Sequence, residues 1–493
     1  MQNIIKHFRA DRFFYLFICI HLIAWTLAPA IVRYNLPLDS IEGTIWGHQL
    51  EWGYDKNPFL NGWLTALATY IDGHQDWMVY LFSQLSVVIC FWVVWRLAKT
   101  MLSPAYALIS VMLLEGIQYF NFHSIDFNDN TLELSLWALT IYFFYHALRK
   151  PTTLLWILTG VFAGLGMMAK YYTLALIAAL ALFLFMRAEN RKQLTTLPPY
   201  VGLLAFIAVI TPHTIWLFFH DFITVRYVFE RTDSTPSWTN HFFFPAQFAW
   251  QQWEVFIPAI VLYIVLLLGK RPALSKQETK ISAFDRSFLF YASVMPFLLT
   301  LILSLVLGIK LRAGWGMPLL SFWGLLLVAL LPPYLTKAKI YRFLSVTYIF
   351  MAVLLTGYTI SLVHSKDTSS ANFPGREIAT TITKLWHDTY HTDLAYVAGS
   401  RWISGNISFY SKDSPAVFIR WDKLLSPWIE VKKMQEKGAV FVWDESNDES
   451  LPKEVKNQFA NLSKTQTLTF NWYRNKHDLA PIKLGIAFLP PKS

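Results

Sequence analysis

Long apolar stretches separated by short polar connections run through the first three quarters of the chain. Eleven candidate spans can be marked, roughly 13–32, 77–97, 104–121, 131–148, 153–169, 171–187, 198–218, 248–269, 287–308, 314–333 and 343–363. Crossing about 30 Å of hydrocarbon takes about 20 apolar residues in a helix, and most of these runs are near that length. The pattern changes after residue 364. There D-L-A-Y-V-A-G, P-A-V-F-I-R, G-A-V-F-V-W and K-L-G-I-A-F-L read as short buried strands, and R-E-I-A-T-T-I-T-K-L-W-H as an amphipathic helix. The expected fold is a polytopic α-helical membrane protein of about eleven transmembrane helices, residues 1–363, followed by a soluble α/β domain, residues 364–493. Residues 33–76 form a long loop between the first two spans. Its spaced apolar residues Ile41, Ile45 and Trp46, then Phe59, Leu60, Trp63, Leu64 and Leu67, predict two short helices lying in the membrane interface.

Composition agrees with this class. Mean hydropathy is +0.37 and aromatics make up 17% of the chain, too apolar for an ordinary soluble enzyme. The net charge of +10 is explained by topology signals better than by nucleic-acid binding. Bases crowd onto alternate connections: Lys6, Arg9 and Arg12; Arg96 and Lys99; Arg149 and Lys150; Arg187, Arg191 and Lys192; Lys270 to Arg286; Lys337, Lys339 and Arg342. The intervening loops hold few, among them Lys56, Lys170, Arg226, Arg231, Lys310 and Arg312. The positive-inside rule therefore puts the N-terminus in the cytoplasm, and residues 33–76, 121–130, 219–247 and 364–493 outside, facing the periplasm or an equivalent lumen. The basic start K-H-F-R-A-D-R before the run from Phe13 reads as a retained signal anchor. Cys19 and Cys90 both sit in apolar runs and imply no disulfide framework.

The chemistry is sought among the outer charges, where an ion beside a bilayer must be solvated, paired or used. Asp39 and Glu42 are three residues apart and share a face if Ser40 onward is helical; Asp39 serves equally well as a helix cap. Glu51 and Asp55 read as solvated loop positions. Asp126 and Asp129 open the fourth span, where Asp129 or Asn130 fits an N-cap. Lys170, between two spans joined by almost no loop, either snorkels or contacts a phosphate. Lys310 and Arg312 form a second outer basic pair, and His213 stands inside a span as a buried, hydrogen-bonded histidine. Gly399 and Gly405 read as turn glycines. No HExxH, CxxC or P-loop pattern occurs in the sequence, so those motifs give no support to a metalloprotease, a thiol redox enzyme or a P-loop NTPase. Acids and bases together at the outer rim of a helical bundle suit transfer from a polyprenyl-phosphate-linked donor to a hydroxyl acceptor. A carboxylate would act as general base, and cations would steady the leaving lipid phosphate. A lipid-linked sugar transporter and a scaffold for envelope partners are the rival readings. The lack of an internal repeat weighs against the transporter.

The stretch D-S-I-E-G-T-I-W-G-H-Q-L-E-W-G-Y-D-K-N-P-F-L-N-G-W-L resembles the first outer loop of bacterial family 39 glycosyltransferases. These have the GT-C fold and are related to protein O-mannosyltransferases and to aminoarabinose transferases acting on lipid A. F-N-D-N-T-L-E-L-S-L-W-A-L, G-M-M-A-K-Y-Y-T-L, T-P-H-T-I-W-L-F-F-H-D-F, R-A-G-W-G-M-P-L-L and Y-V-A-G-S-R-W-I-S-G-N continue the likeness. The resemblance implies Asp39 as general base and Glu42 as the second catalytic acid. It implies Tyr54, Lys56, Asn57, Lys170, Tyr171, Lys310 and Arg312 as substrate-binding residues, with Asp126, Asp129 and His213 beside them. The base expected directly before the proline is Asn57 here, with Lys56 one position earlier, so either Lys56 reaches the phosphate or Lys170 and Arg312 take that task. An inverting transfer in a bacterial inner membrane, with the α/β domain in the periplasm, is implied, from a polyprenyl-phosphate sugar, undecaprenyl-linked, to lipid A, lipopolysaccharide core or another envelope glycan. Protein O-glycosylation is the alternative. Some relatives carry a divalent ion near this loop; no ligand set in this sequence compels a metal.

Overall fold

The computed structural model describes residues 9–232, 237–269, 281–364, 368–447, 450–474 and 479–492. Lys6, Lys270, Arg271, Lys276 and Lys280 of the charge pattern lie outside the described residues. The chain opens with α1 (Ala10–Val32), followed by two short helices, α2 (Leu38–Gly47) and α3 (Leu60–Asp72), and the long α4 (Asp76–Met101). Next come α5 (Pro104–Met112), α6 (Asp129–Arg149), α7 (Thr153–Ala169), α8 (Thr173–Met186) and α9 (Pro198–Phe219). The helical part ends with α10 (Ile223–Thr232), α11 (Asn240–Leu267), α12 (Ala283–Leu307), α13 (Trp323–Leu330) and α14 (Lys337–Val363).

Among the described residues, six helices are long and apolar enough to cross a membrane, or up to eight if each of two bent pairs counts as one span. The bends are 95° after α8 and 51° before α13. The runs at 104–116 and 153–169 form shorter apolar helices, so length and composition of the helices give fewer spans than the eleven marked on the sequence. Small residues let some of these helices touch backbone to backbone. A Cβ on Gly160 of α7 would lie 1.9 Å from the carbonyl oxygen of Gly202 on α9, a contact that only two glycines allow.

After α14 the chain builds a five-stranded sheet. It comprises α15 (Gly375–Tyr390), β1 (Tyr396–Gly399), α16 (Arg401–Tyr410), β2 (Ala416–Ile419), β3 (Ala439–Asp444), β4 (Gln466–Phe470) and β5 (Ile482–Leu489). The strand order is β2-β1-β3-β5-β4. β1 pairs in parallel with β2 and β3 (Val397 opposite Val417 and Val440), while β5 runs antiparallel to β3 and β4. The four apolar runs expected as strands contain β1, β2, β3 and β5, because strands buried on both faces read as continuous hydrophobic stretches. β4, Q-T-L-T-F, is an exposed edge strand and carries no such signal.

The sheet domain sits on the loop between α1 and α4. Helix α16 packs on α2, where a Cβ on Gly405 would come within 2.7 Å of Ile41 and 2.8 Å of Ile45. Gly405 therefore serves close helix packing, not a turn. Gly399 ends β1, and a Cβ there would lie 2.3 Å from the Val442 carbonyl oxygen, so it too is a close-approach glycine. Arg376 of α15 pairs with Asp76 at 2.9 Å, the Leu36 N–H donates to the Tyr410 hydroxyl at 3.0 Å, and Tyr34 stacks on Tyr473 at 3.7 Å.

Candidate active site

Between α2, the α7–α8 junction, α10, α12 and the segment 309–315 lies a cavity of about 830 Å³. Helix α2 starts after Pro37, whose extended backbone (ψ 166°) is a helix-entry conformation, and Pro37 offers no side-chain cap. The free N–H groups of this first turn are taken by a carboxylate from another loop. Asp126 accepts from the Ser40 N–H at 2.8 Å, the Ser40 hydroxyl at 2.7 Å and the Asp39 N–H at 3.3 Å. Asp39 thus does not cap its own helix, and Asp126 is a support, not part of the cavity wall. Burial raises the Asp126 carboxyl, although these donors and Arg33 oppose the shift. Asp39 lines the cavity and receives the Asn128 amide at 3.0 Å. Burial, with the charges of Asp126 and Asp129 close by, pushes its carboxyl up to about 7.

Glu42, one turn further, shares the cavity face with Asp39. Its Oε1 lies 2.6 Å from Lys56 Nζ and 2.9 Å from Arg401 Nη1. Burial raises the Glu42 carboxyl; Arg401 and Lys56 pull it back down. Lys56 and Asn57 come from a tight turn in which the Tyr54 N–H donates to the Asn57 carbonyl at 3.0 Å and Gly53 bridges Pro58. Both side chains line the cavity, so Lys56 reaches it from one position before the expected place. Its ammonium also lies 5.8 Å from the Tyr227 ring centre. Asp55 is not a solvated loop residue: it is 3% exposed and is held by the Arg401 guanidinium through both oxygens. Glu51 likewise has a partner, the indole N–H of Trp216 at 3.2 Å.

The opposite polar group is Lys170. It follows α7 in an extended conformation (ψ 136°) that breaks the chain between α7 and α8 and turns the ammonium into the cavity. There it meets Asp129 at 2.8 Å, the Asn130 side-chain oxygen at 2.5 Å and the face of Trp315 at 5.5 Å. Helix α6 is capped by neither Asp129 nor Asn130; the Asn128 side chain accepts from the Thr131 N–H at 3.1 Å. Asp129 and Asn130 are thereby left to hold Lys170. Tyr171, Arg231 and Arg312 add to the polar lining. Beyond them the wall is apolar, formed by Leu174, Ala178, Leu299, Ile302, Leu303 and Val306.

Besides Asp126, three more of the candidate site residues from the sequence are not on this lining. Tyr54 is fully buried and stacks on Trp46 at 5.3 Å, backing the wall from behind. His213 is buried, hydrogen-bonded to the Tyr171 hydroxyl at 2.5 Å and the Trp52 carbonyl at 2.7 Å, so it fixes Tyr171 instead of meeting a ligand. Lys310 is exposed and off the cavity, although Arg312 two residues later is on it. Sequence reasoning missed Asn128 and Arg401. Asn128 had the signal of an Asn three residues before a helical Thr. Arg401 had only its place at the carboxyl end of a parallel strand, where α/β sheets present ligand-binding residues.

Residues 56–216, a third of the chain that holds Lys56 and Lys170, match the family model described as dolichyl-phosphate-mannose-protein mannosyltransferase. The lipopolysaccharide core galacturonosyltransferase RgtA of Rhizobium johnstonii is 22% identical over an alignment covering 38% of this chain and 38% of that enzyme. The chain thus spans well under half the length of that relative. ArnT from Cupriavidus metallidurans superposes over nearly the whole length. Its structure bound to undecaprenyl phosphate has a TM-score of 0.60 at 13% identity, covering 97% of this chain and 99% of that one. Its apo structure gives 0.63 at 12% identity with the same coverage. The chain is a multi-pass membrane protein with the fold of the GT-C glycosyltransferases.

Proposed function

We propose that this protein is a membrane glycosyltransferase that moves a sugar from a polyprenyl-phosphate-linked donor to a hydroxyl of a periplasmic glycolipid or envelope glycan. The observation that carries the reading is the two-sided cavity. Asp39, Lys56, Lys170 and Arg312 line one part, and Leu174, Ile302, Leu303 and Val306 line the other. A ligand with a charged phosphate head and a long hydrocarbon tail matches both parts, and several of the apolar residues are exposed on the outside of the helices, Val306 at 65%. Undecaprenyl phosphate, the lipid bound by the ArnT structure of the same fold, is the carrier that fits a bacterial inner membrane.

In this mechanism Asp39 accepts the proton of the acceptor hydroxyl as its oxygen attacks the anomeric carbon. The bond from that carbon to the phosphate oxygen breaks, and the electron pair leaves with the lipid phosphate. Attack opposite the leaving group inverts the anomeric centre. Lys56, Lys170 and Arg312 meet the charge that develops on the phosphate. A carboxyl raised to about 7 is suited to a base at neutral pH, since it is ionised for a large share of the time and still holds a proton well. Among the described residues, the grouping of ligand atoms suited to a metal is His387, Asp393 and Asp413, in the sheet domain away from the cavity. The cavity acids Glu42 and Asp129 are already paired with cations of the chain, so we derive no step through a metal.

Lipid A or lipopolysaccharide core is the acceptor class we favour, supported by the likeness over the aligned part to RgtA, a lipopolysaccharide core galacturonosyltransferase. Purified protein in detergent, supplied with an undecaprenyl-phosphate sugar and lipid A, should release undecaprenyl phosphate and add one sugar mass to the acceptor. Transfer in detergent, where nothing can be carried across a bilayer, also excludes the transporter. Absence of any mass change in the glycolipids of a deletion strain, with no loss of sugar from envelope proteins, would overturn the proposal.

A further inference from the structure

A side chain of the sheet domain pairs with an acid at the charged end of the cavity without lining the cavity itself. Arg401 stands at the start of α16, directly after β1, and its guanidinium reaches across the domain boundary to two carboxylates. Nη1 lies 2.9 Å from Glu42 Oε1, and the fork also grips both oxygens of Asp55, 346 residues away in sequence. Glu42 is 8% exposed and Asp55 is 3% exposed, so neither can be left without a cation at tolerable cost. Glu42 Oε1 is shared: Lys56 Nζ lies 2.6 Å from the same oxygen. Lys56 is the more mobile of the two partners, a point charge on a four-carbon stem with a quarter of its side chain exposed. Arg401 is the fixed one, held by two carboxylates at once, with 17% of its side chain exposed.

We infer that Arg401 is a positioning residue of the active site, holding Glu42 and Asp55 so that Lys56 can leave Glu42 for the phosphate of the lipid-linked donor. The inference rests on the reading of the cavity given above. Were Lys56 the lone partner of Glu42, its move to a phosphate would strand a buried carboxylate and the move would be opposed. With Arg401 in place, Glu42 keeps an ion pair throughout, and Lys56 changes one anion for another. A planar fork suits this task, since it binds two carboxylates in fixed directions, whereas an ammonium would serve one. The sheet domain is then not only a cover; the donor site is incomplete without it.

The test uses full-length purified protein and undecaprenyl phosphate as the probe, with binding followed by tryptophan fluorescence and folding by thermal melting. R401M should weaken binding of the lipid by about tenfold or more and raise KM for the sugar donor by a similar factor, because the pair it breaks is nearly buried. R376M removes a second ion pair of the sheet domain with the helical part, to Asp76, without touching Glu42. It should lower the melting midpoint and leave lipid binding within about twofold. If R401M proves too unstable, R401K carries the comparison, with intermediate binding expected. Wild-type binding retained unchanged in R401M or R401K overturns the inference alone. So does R376M weakening binding as much as R401M, which would make domain docking the cause. A wild-type protein that does not bind undecaprenyl phosphate overturns the reading of the cavity and this inference with it.

Discussion

Asp126 holds the backbone of Ser40 at 2.8 Å and its hydroxyl at 2.7 Å, so the turn that presents Asp39 is fixed by a carboxylate 86 residues later in the chain. The loop ahead of α6 and the first loop are thus joined at the turn that carries the proposed base. D126A should cost about 1–2 kcal/mol of stability, as loss of a helix cap does, and lower transfer further by letting the first turn of α2 fray. D126N retains an acceptor oxygen and should lose less on both counts. Thermal melting and a transfer assay on the two variants decide it; equal activity in D126A and wild type would separate the cap from the site.

Asp39 is the proposed base, and D39N leaves the shape and the amide contact to Asn128 in place while removing the proton acceptor. Transfer should fall by about 10²–10⁴-fold. Binding of undecaprenyl phosphate should stay within a few-fold, since Lys56, Lys170 and Arg312 remain. A D39N enzyme with ordinary turnover would rule the residue out as the base.

The raised carboxyl of Asp39 has two consequences for pH. Transfer should climb as pH rises through about 7, because the base acts when ionised. Stability should move the other way. The folded state holds the Asp39 proton up to about 7 while the unfolded chain releases it near the ordinary 3.8, so between those values folding binds more protons and stability falls as pH rises. D39N should flatten both trends. An acid limb near 4 in the rate profile would show that the carboxyl is not raised in the working enzyme.

Lys170 is tied to Asp129 at 2.8 Å and Asn130 at 2.5 Å in a cavity wall it shares with Arg312. K170M removes the cation and leaves Asp129 without it. Affinity for undecaprenyl phosphate should drop by about tenfold or more, the scale of a charge-assisted contact to phosphate. The double variant K170M/D129N should recover part of the folding loss and none of the lipid affinity. If single and double variants bind the lipid as wild type does, Lys170 serves only to snorkel.

Gly405 lets α16 lie against Ile41 and Ile45 of α2, the helix that carries Asp39 and Glu42. G405V adds side-chain atoms where even a Cβ would sit 2.7 Å from Ile41, so the helices must part or shift. Overpacking of this kind costs about 1–3 kcal/mol. Arg401 stands four residues earlier on the same helix, so donor binding should weaken along with the melting midpoint. Unchanged melting and binding in G405V would show that the contact yields easily.

Where sequence reasoning succeeded, the signal was local. The runs of apolar residues located the long helices α1, α4, α9 and α14, because every helical backbone bond in hydrocarbon must be met within the segment. The same reading placed two short helices in residues 33–76, and α2 and α3 are there. It placed Asp39 and Glu42 on one face of α2, which follows from their three-residue spacing. It failed where a partner came from elsewhere. Asp55 looks solvated in D-K-N-P, yet Arg401 buries it; Gly405 looks like a turn residue in S-G-N, yet a neighbouring helix explains it; Asn128 caps α6 where Asp129 and Asn130 were equally plausible by composition.

The sequence by itself determined that this chain is a bundle of membrane helices with an acid-bearing first loop and an α/β tail, since hydropathy and periodicity are properties of neighbours along the chain. Only the tertiary structure decided what each charge does. Asp39 acquires its raised carboxyl from burial and from Asp126 and Asp129, Lys170 its place from Asp129, and Glu42 its second cation from a helix more than 350 residues later. The reason is that ion pairing and desolvation depend on distance through space and on the dielectric between groups, neither of which is written in the spacing of residues.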